Sequence, residues 1–166
     1  FWQSPTRPWF LFIPADKKPI AVIPEIGAAL MRKTWIEDIR TWGAPRPKDD
    51  GITLLLDLLE PLSKRGSRLG IMKGHETSLR MPLGDYESLI SGLPGIELVD
   101  GTDIVRSLRM VKSESEIEKI AHICNIVSRT FERANEIFYK GQPLAEAFRA
   151  FRMECLAQGA DDVPYL

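Results

Sequence analysis

Val105-Arg106-Ser107-Leu108-Arg109-Met110-Val111-Lys112-Ser113-Glu114-Ser115-Glu116-Ile117 divides the chain into two kinds of sequence. Within it, Ser113-Glu114-Ser115-Glu116 is a capping box. The serine hydroxyl accepts the amide proton three residues on, and Glu116 reaches back to the Ser113 amide. Downstream, Ile117, Ile120, Ala121, Cys124, Val127, Phe131, Ala134 and Phe138 advance by three or four residues, the period of one buried helix face. With Lys140 in the last turn and Gly141 as the expected stop, this predicts about 27 helical residues and a rod of roughly 40 Å. Pro143 opens a second helix, with Leu144, Ala147, Phe148, Phe151 and Cys155 on one face and Gly159 after it. No strand is expected between residues 101 and 160. Two amphipathic helices without a sheet of their own must pack on something, expected to lie largely beyond Leu166.

Upstream of the divide, helix and strand patterns alternate, the signature of an α/β unit. Trp9 to Ile13 and Pro19 to Ile23 are apolar runs separated by Ala15-Asp16-Lys17-Lys18, which predicts a hairpin. A short helix over Glu25 to Lys33 follows, then a strand over Trp35 to Trp42 and a loop from Gly43 to Gly51, rich in Pro, Asp and Gly. Leu55, Leu58, Leu59 and Leu62 predict a helix over Ile52 to Ser63, with its last turn distorted by Pro61. Arg68 to Met72 and Ile96 to Val99 read as strands on either side of a Pro82 to Leu93 helix. That helix carries Leu83, Tyr86, Leu89 and Ile90 at helical spacing. Thr102 or Asp103 is expected to cap a short helix ending at Met110.

The 166 residues are 44% apolar and 27% charged, ordinary for a globular chain and rich enough in apolar groups to bury a core. Lys and Arg total 22 against 23 Asp and Glu, which argues against a nucleic-acid surface built on bulk charge. No apolar run is long enough to span a membrane, and no secretory segment opens the sequence. Cys124 and Cys155 are too few for a disulfide framework, which favours a cytoplasmic location. The opening Phe1-Trp2 and the closing Val163-Pro164-Tyr165-Leu166 are apolar ends. They read as cuts through a longer chain.

Chemistry-bearing patterns are sparse. His75-Glu76 lacks the second histidine of a zinc-protease helix, since position 79 is Leu. His122 and Cys124 point about 200° apart on a helix and cannot share a metal. Glu132 and Glu136 beside Arg129 and Arg133 read as a charged helix surface. Asp49-Asp50 and Asp161-Asp162 are loop acids without a partner histidine. No catalytic residue and no metal ligand is therefore assigned. The unusual segment is residues 1–10, with four aromatics, two prolines and Arg7. It reads either as a hairpin edge with core aromatics or as an aromatic and guanidinium wall for a small carboxylate, which an arginine fork matches.

The 105–117 stretch resembles the junction of the creatinase/prolidase superfamily, where an arginine, a Lys-Ser pair and a capped Glu-Ile step open the catalytic domain. The long helix and Gly141-Gln142-Pro143-Leu144-Ala145-Glu146 resemble the first two helices of that family's pita-bread domain. The aromatic opening, Arg7 and the Trp9 to Ile13 strand resemble the middle of its N-terminal domain. The resemblance implies an α/β domain with a mixed sheet flanked by helices over residues 1–110, its first strand and helix missing, and a truncated long-helix stub of the pita-bread domain over 111–166.

The resemblance further implies that the parent is a homodimeric hydrolase acting on an Xaa-Pro peptide or another small amidated or amidino substrate. In the peptidase branch, two divalent metals (Mn, Co or Zn) activate a water. They are held by two aspartates, a histidine and two glutamates downstream of these helices, so Asp161 and Asp162 sit too early to be among them. No cofactor is assigned to the present residues, which are expected to be inactive alone. A lyase on the same scaffold and a non-catalytic binding or dimerisation module remain alternatives, because fold does not fix chemistry. Arg7, with Trp2 beside it, is the expected substrate-binding residue. By resemblance it reaches from the N-terminal domain toward a substrate carboxylate in the partner subunit's cleft. It is therefore expected to be partly exposed, with no carboxylate partner in its own domain.

Overall fold

The computed structural model describes residues 7–164. The chain forms two compact units, one ending at Arg106 and the other beginning at Ser107.

The first unit is built around a mixed three-stranded sheet. Strand β1 (Phe10–Phe12) pairs antiparallel with β2 (Ile20–Pro24), with Phe10 opposite Val22. Strand β3 (Asp38–Trp42) pairs parallel with the other edge of β2, with Val22 opposite Arg40 and Pro24 opposite Trp42. Pro24 is the last residue of β2 and still lies in register with β3. Between β2 and β3 the chain makes a single 3₁₀ turn over Glu25–Gly27 and a short helix α1 (Ala28–Met31).

The central strand explains the uninterrupted apolar run of β2. Val22 belongs to a core with Trp42, Leu55, Leu59, Leu89 and Leu93. Ala21 and Ile23 join a second cluster with Ile36, packed by Trp9, Met31 and Ile39. Alternate side chains of a strand leave opposite faces, so a strand covered on both faces must be apolar throughout.

Helix α2 (Ile52–Ser63) runs through Pro61 and buries Ile52, Leu55 and Leu59. A separate parallel pair follows, β4 (Arg68–Ile71) with β5 (Glu97–Asp100), joined through α3 (Leu83–Gly92). Of the apolar positions expected on α3, Leu89 is buried while Leu83 and Ile90 are exposed. The first unit is an α/β fold of small sheets flanked by helices, as the alternating patterns predict. Helix α4 (Thr102–Met110) follows β5 directly. Its Thr102 amide donates to Asp100 Oδ1 at 2.9 Å. The Thr102 hydroxyl accepts the Gly74 amide, also at 2.9 Å, and, with the Thr102 amide, holds the Asp100 carboxyl below its ordinary value, so Asp100 rather than Thr102 or Asp103 serves the helix start.

The second unit is helical among its described residues. Helix α5 (Glu114–Glu132) opens on the expected capping box: the Ser113 amide donates to Glu116 Oε2 at 2.8 Å, and the Glu116 amide donates to the Ser113 hydroxyl at 3.4 Å. The single long rod does not form. Arg133, at φ −91° and ψ 11°, separates α5 from α6 (Ala134–Ile137). Two causes converge there. The Thr130 hydroxyl donates back to the Ile126 carbonyl at 3.0 Å, a contact that bends helices. The Arg133 amide bonds three residues back to Thr130 rather than four. Helix α7 (Leu144–Ala157) follows Gly141, which has a φ of 87°.

The expected buried face of α5 is also revised. Ile117, Ile120, Val127 and Phe131 are exposed, and the buried positions are Ile126 and Thr130. The α5 seam contacts α7 through a narrow line completed by Phe151 and Cys155, both buried. Phe131 and Phe138 touch the Phe151 ring at 4.9 and 6.1 Å between centroids while remaining open to solvent. Period alone locates an apolar face; it does not supply the surface that covers it.

Candidate functional site

Strand direction creates the site. Strands β2 and β3 are parallel and end at Pro24 and Trp42, whereas β1 runs the other way. The residues that precede β1 and those that follow β3 therefore share one edge of the sheet. Arg7 lies in the first group and the 43–51 loop in the second. The carboxyl ends of parallel strands are also where open α/β sheets place their ligands.

At this edge Arg7 Nη1 donates to Asp50 Oδ1 at 3.2 Å. Both side chains are about one quarter exposed, 27% and 23%. Arg7 is thus partly exposed as expected, but the expectation of no intramolecular carboxylate partner is corrected. A separation of 43 residues conceals the pairing in the sequence, and the reversal of β1 against β2 produces it. Asp50, a loop acid without a partner histidine, is the counter-ion of Arg7. Trp2 lies outside the described residues.

The loop that carries Asp50 is fastened at several points. The Thr53 amide donates to Asp49 Oδ1 at 3.1 Å, which ties the loop to the first turn of α2. Arg46 stands 3.7 Å from the other Asp49 oxygen. Partial burial pushes the Asp49 carboxyl up. The Thr53 amide and hydroxyl, the Ile52 amide and the Arg46 guanidinium outweigh it, so the group stays below its ordinary value. Gly51, at φ 89°, turns the chain from Asp50 into α2 directly over the buried Trp42 indole. From the start of α3, Asp85 faces the same loop. Partial burial, followed by the charges of Asp50 and Asp49, raises its carboxyl above the ordinary range.

A cleft of about 350 Å³ adjoins this edge, lined by Thr41, Trp42, Gly43, Arg46, Thr53, Leu54 and Asp57. Its polar lining offers one guanidinium, one carboxylate and two hydroxyls.

Among the described residues no group of three or more His, Cys, Asp and Glu is arranged to hold a metal. His75, Glu76, His122 and Cys124 are all exposed. On the second unit's surface Arg133 bridges Glu136 and Glu154, and Arg152 meets Asp162 at 2.9 Å. The described residues therefore do not form a dinuclear metal centre among themselves. What the 7–50 edge can do chemically is bind and orient a small anion. No nucleophile and general base are brought together among the site residues described here.

Relatives were compared by sequence and by structure. No curated protein matches the sequence. The chain superposes on solved Xaa-Pro peptidases. Prolidase from Thermococcus sibiricus aligns with a TM-score of 0.76 at 20% identity, over 96% of this chain and 41% of that one. Xaa-Pro dipeptidase from Bacillus anthracis gives 0.74 at 17% identity, over 98% and 41%. X-Pro aminopeptidase from Thermotoga maritima MSB8 gives 0.70 at 18% identity, over 90% and 40%. The chain thus spans about two fifths of the length of these proteins, and at such identities the likeness shows the fold. No described helix is long and apolar enough to cross a membrane. The sequence itself carries the family assignment. Residues 2–111 match the creatinase/prolidase N-terminal domain, so the α/β unit built around β2 and the Arg7–Asp50 edge belongs to that family.

Proposed function

We propose that this chain is the N-terminal, substrate-capping and dimerisation part of a hydrolase acting on Xaa-Pro peptides. Residues 1–110 form the capping domain and 111–166 begin the catalytic, pita-bread domain. The observation that carries the reading is the family match over residues 2–111. The Xaa-Pro peptidases that share the fold supply the substrate class. In this reading Arg7 holds the free carboxylate of the substrate. Its guanidinium stands beside the start of β1, partly open to solvent, with a single bond to Asp50. The bond-breaking groups belong to the remainder of the protein.

The test is an assay of the full-length protein on Xaa-Pro dipeptides against Xaa-Ala dipeptides and Xaa-Pro amides. Hydrolysis favouring Xaa-Pro with a free carboxylate is expected. An Arg7→Ala variant should lose about 1.5–3 kcal/mol of carboxylate recognition, read mainly in KM. No turnover of any Xaa-Pro substrate by the purified full-length protein would refute the reading.

A further inference from the structure

We infer that Asp50 is a positioning residue for Arg7, holding one edge of its guanidinium so that the other edge faces the substrate carboxylate. This rests on the reading of Arg7 as the carboxylate contact.

The geometry favours positioning over sequestration. An arginine fork engaged bidentately by a carboxylate has both terminal nitrogens committed. Here only Nη1 donates, at 3.2 Å, to one Asp50 oxygen. Among the described residues, Nε and Nη2 of Arg7 donate to nothing. One bond to a fixed acceptor removes much of the rotational freedom of a long side chain while leaving donors for a second anion.

The acceptor itself is fixed. Asp50 lies between two anchored neighbours. Asp49 is tied to the Thr53 amide and to Arg46. Gly51 is pressed onto the Trp42 indole, where a Cβ would come within 2.4 Å of Nε1. The charge of Asp50 also reaches Asp85 at the start of α3, where burial first and then Asp50 and Asp49 push the carboxyl up. The cation ion-paired with Asp50 is Arg7. Such support for a binding group matters because a small misplacement of a contact can cost orders of magnitude in rate.

The experiment uses the full-length protein and two substrates, an Xaa-Pro dipeptide and its C-terminal amide. Four variants are compared: Arg7→Ala, Asp50→Ala, Asp50→Asn and the double variant Arg7→Ala/Asp50→Ala. Asp50→Ala should lower kcat/KM for the dipeptide about tenfold, chiefly through KM, with a much smaller effect on the amide. Asp50→Asn keeps an oxygen that accepts from Nη1 and should recover part of the loss. In the Arg7→Ala background, removing Asp50 should change little, because the two act as one unit. Equal losses on dipeptide and amide, or additive losses in the double variant, would make Asp50 a structural residue and overturn the proposal. A rise in kcat/KM for Asp50→Ala would also overturn it, by showing that Asp50 competes with substrate for Arg7. If Arg7→Ala itself leaves carboxylate preference intact, the reading of Arg7 fails first and the positioning role falls with it.

Discussion

A methyl group placed on Gly51 would lie 2.4 Å from Nε1 of Trp42. The close approach sets the entry of α2 above the last residue of β3, and it carries the loop acids with it. Gly51→Ala meets both this contact and a φ of 89°, where non-glycine residues are strained. The substitution should cost about 1–3 kcal/mol in denaturant unfolding. Gly66→Ala is the control: Gly66 has a φ of 65° but open space around it, so its cost should be smaller.

Asp85→Asn should stabilise the first unit at neutral pH. Burial and the charges of Asp50 and Asp49 raise the Asp85 carboxyl in the folded chain. A group raised on folding contributes stability below its unfolded value and loses that contribution as pH rises through the folded value. Ionised Asp85 is therefore a liability at pH 7. The variant should raise Tm by about 1–2 °C there, and the gain should vanish as pH falls into the ordinary carboxylate range. A Tm difference that is flat from pH 7 to pH 3 would contradict the charge account.

Ser113→Ala should cost the helical unit roughly 0.5–2 kcal/mol at pH 7. The Ser113 amide and hydroxyl hold the Glu116 carboxyl below its ordinary value. A depressed carboxylate contributes stability above its unfolded value, and that contribution is lost as pH falls through the folded value. The difference between wild type and variant should accordingly narrow in acid. Helix content followed by circular dichroism during urea titration at two pH values measures it.

Ile126→Ala and Ile117→Ala separate the two faces of α5. Ile126 is fully buried and its truncation should cost about 2–5 kcal/mol. Ile117 is 55% exposed in this chain, and its truncation should change stability by no more than about 0.5 kcal/mol. Equal costs would restore the stripe that the periodicity suggests.

The elements that could be read from sequence are those whose signals are local. The apolar runs about Leu11 and Val22, the leucines of α2, Pro82 before α3 and the box at Ser113 each announce their element within a few residues. The break at Arg133 could not be read, because it arises from a hydroxyl turned onto its own helix and a shortened amide bond, with no Gly or Pro to mark it. The buried seam at Ile126 and Thr130 was hidden for another reason. Which face of an amphipathic helix is covered depends on its partner, and α7 meets α5 along a line different from the richest apolar stripe. The site was half legible. Arg7 stands out by its aromatic and proline setting, but Asp50 looks like any loop acid until the opposed directions of β1 and β3 bring the two together.

Every paired strand in the first unit joins its neighbour in sequence: β1 with β2, β2 with β3, and β4 with β5 across α3. Such pairing brings together segments at most 29 residues apart, Arg68 and Glu97, and the closer in sequence the partners lie, the faster they meet. The ribosome adds roughly 5–20 residues per second, so these pairs can form, in order, while later segments are still being made. The Arg7–Asp50 contact, spanning 43 residues, then closes over a sheet that is already in place.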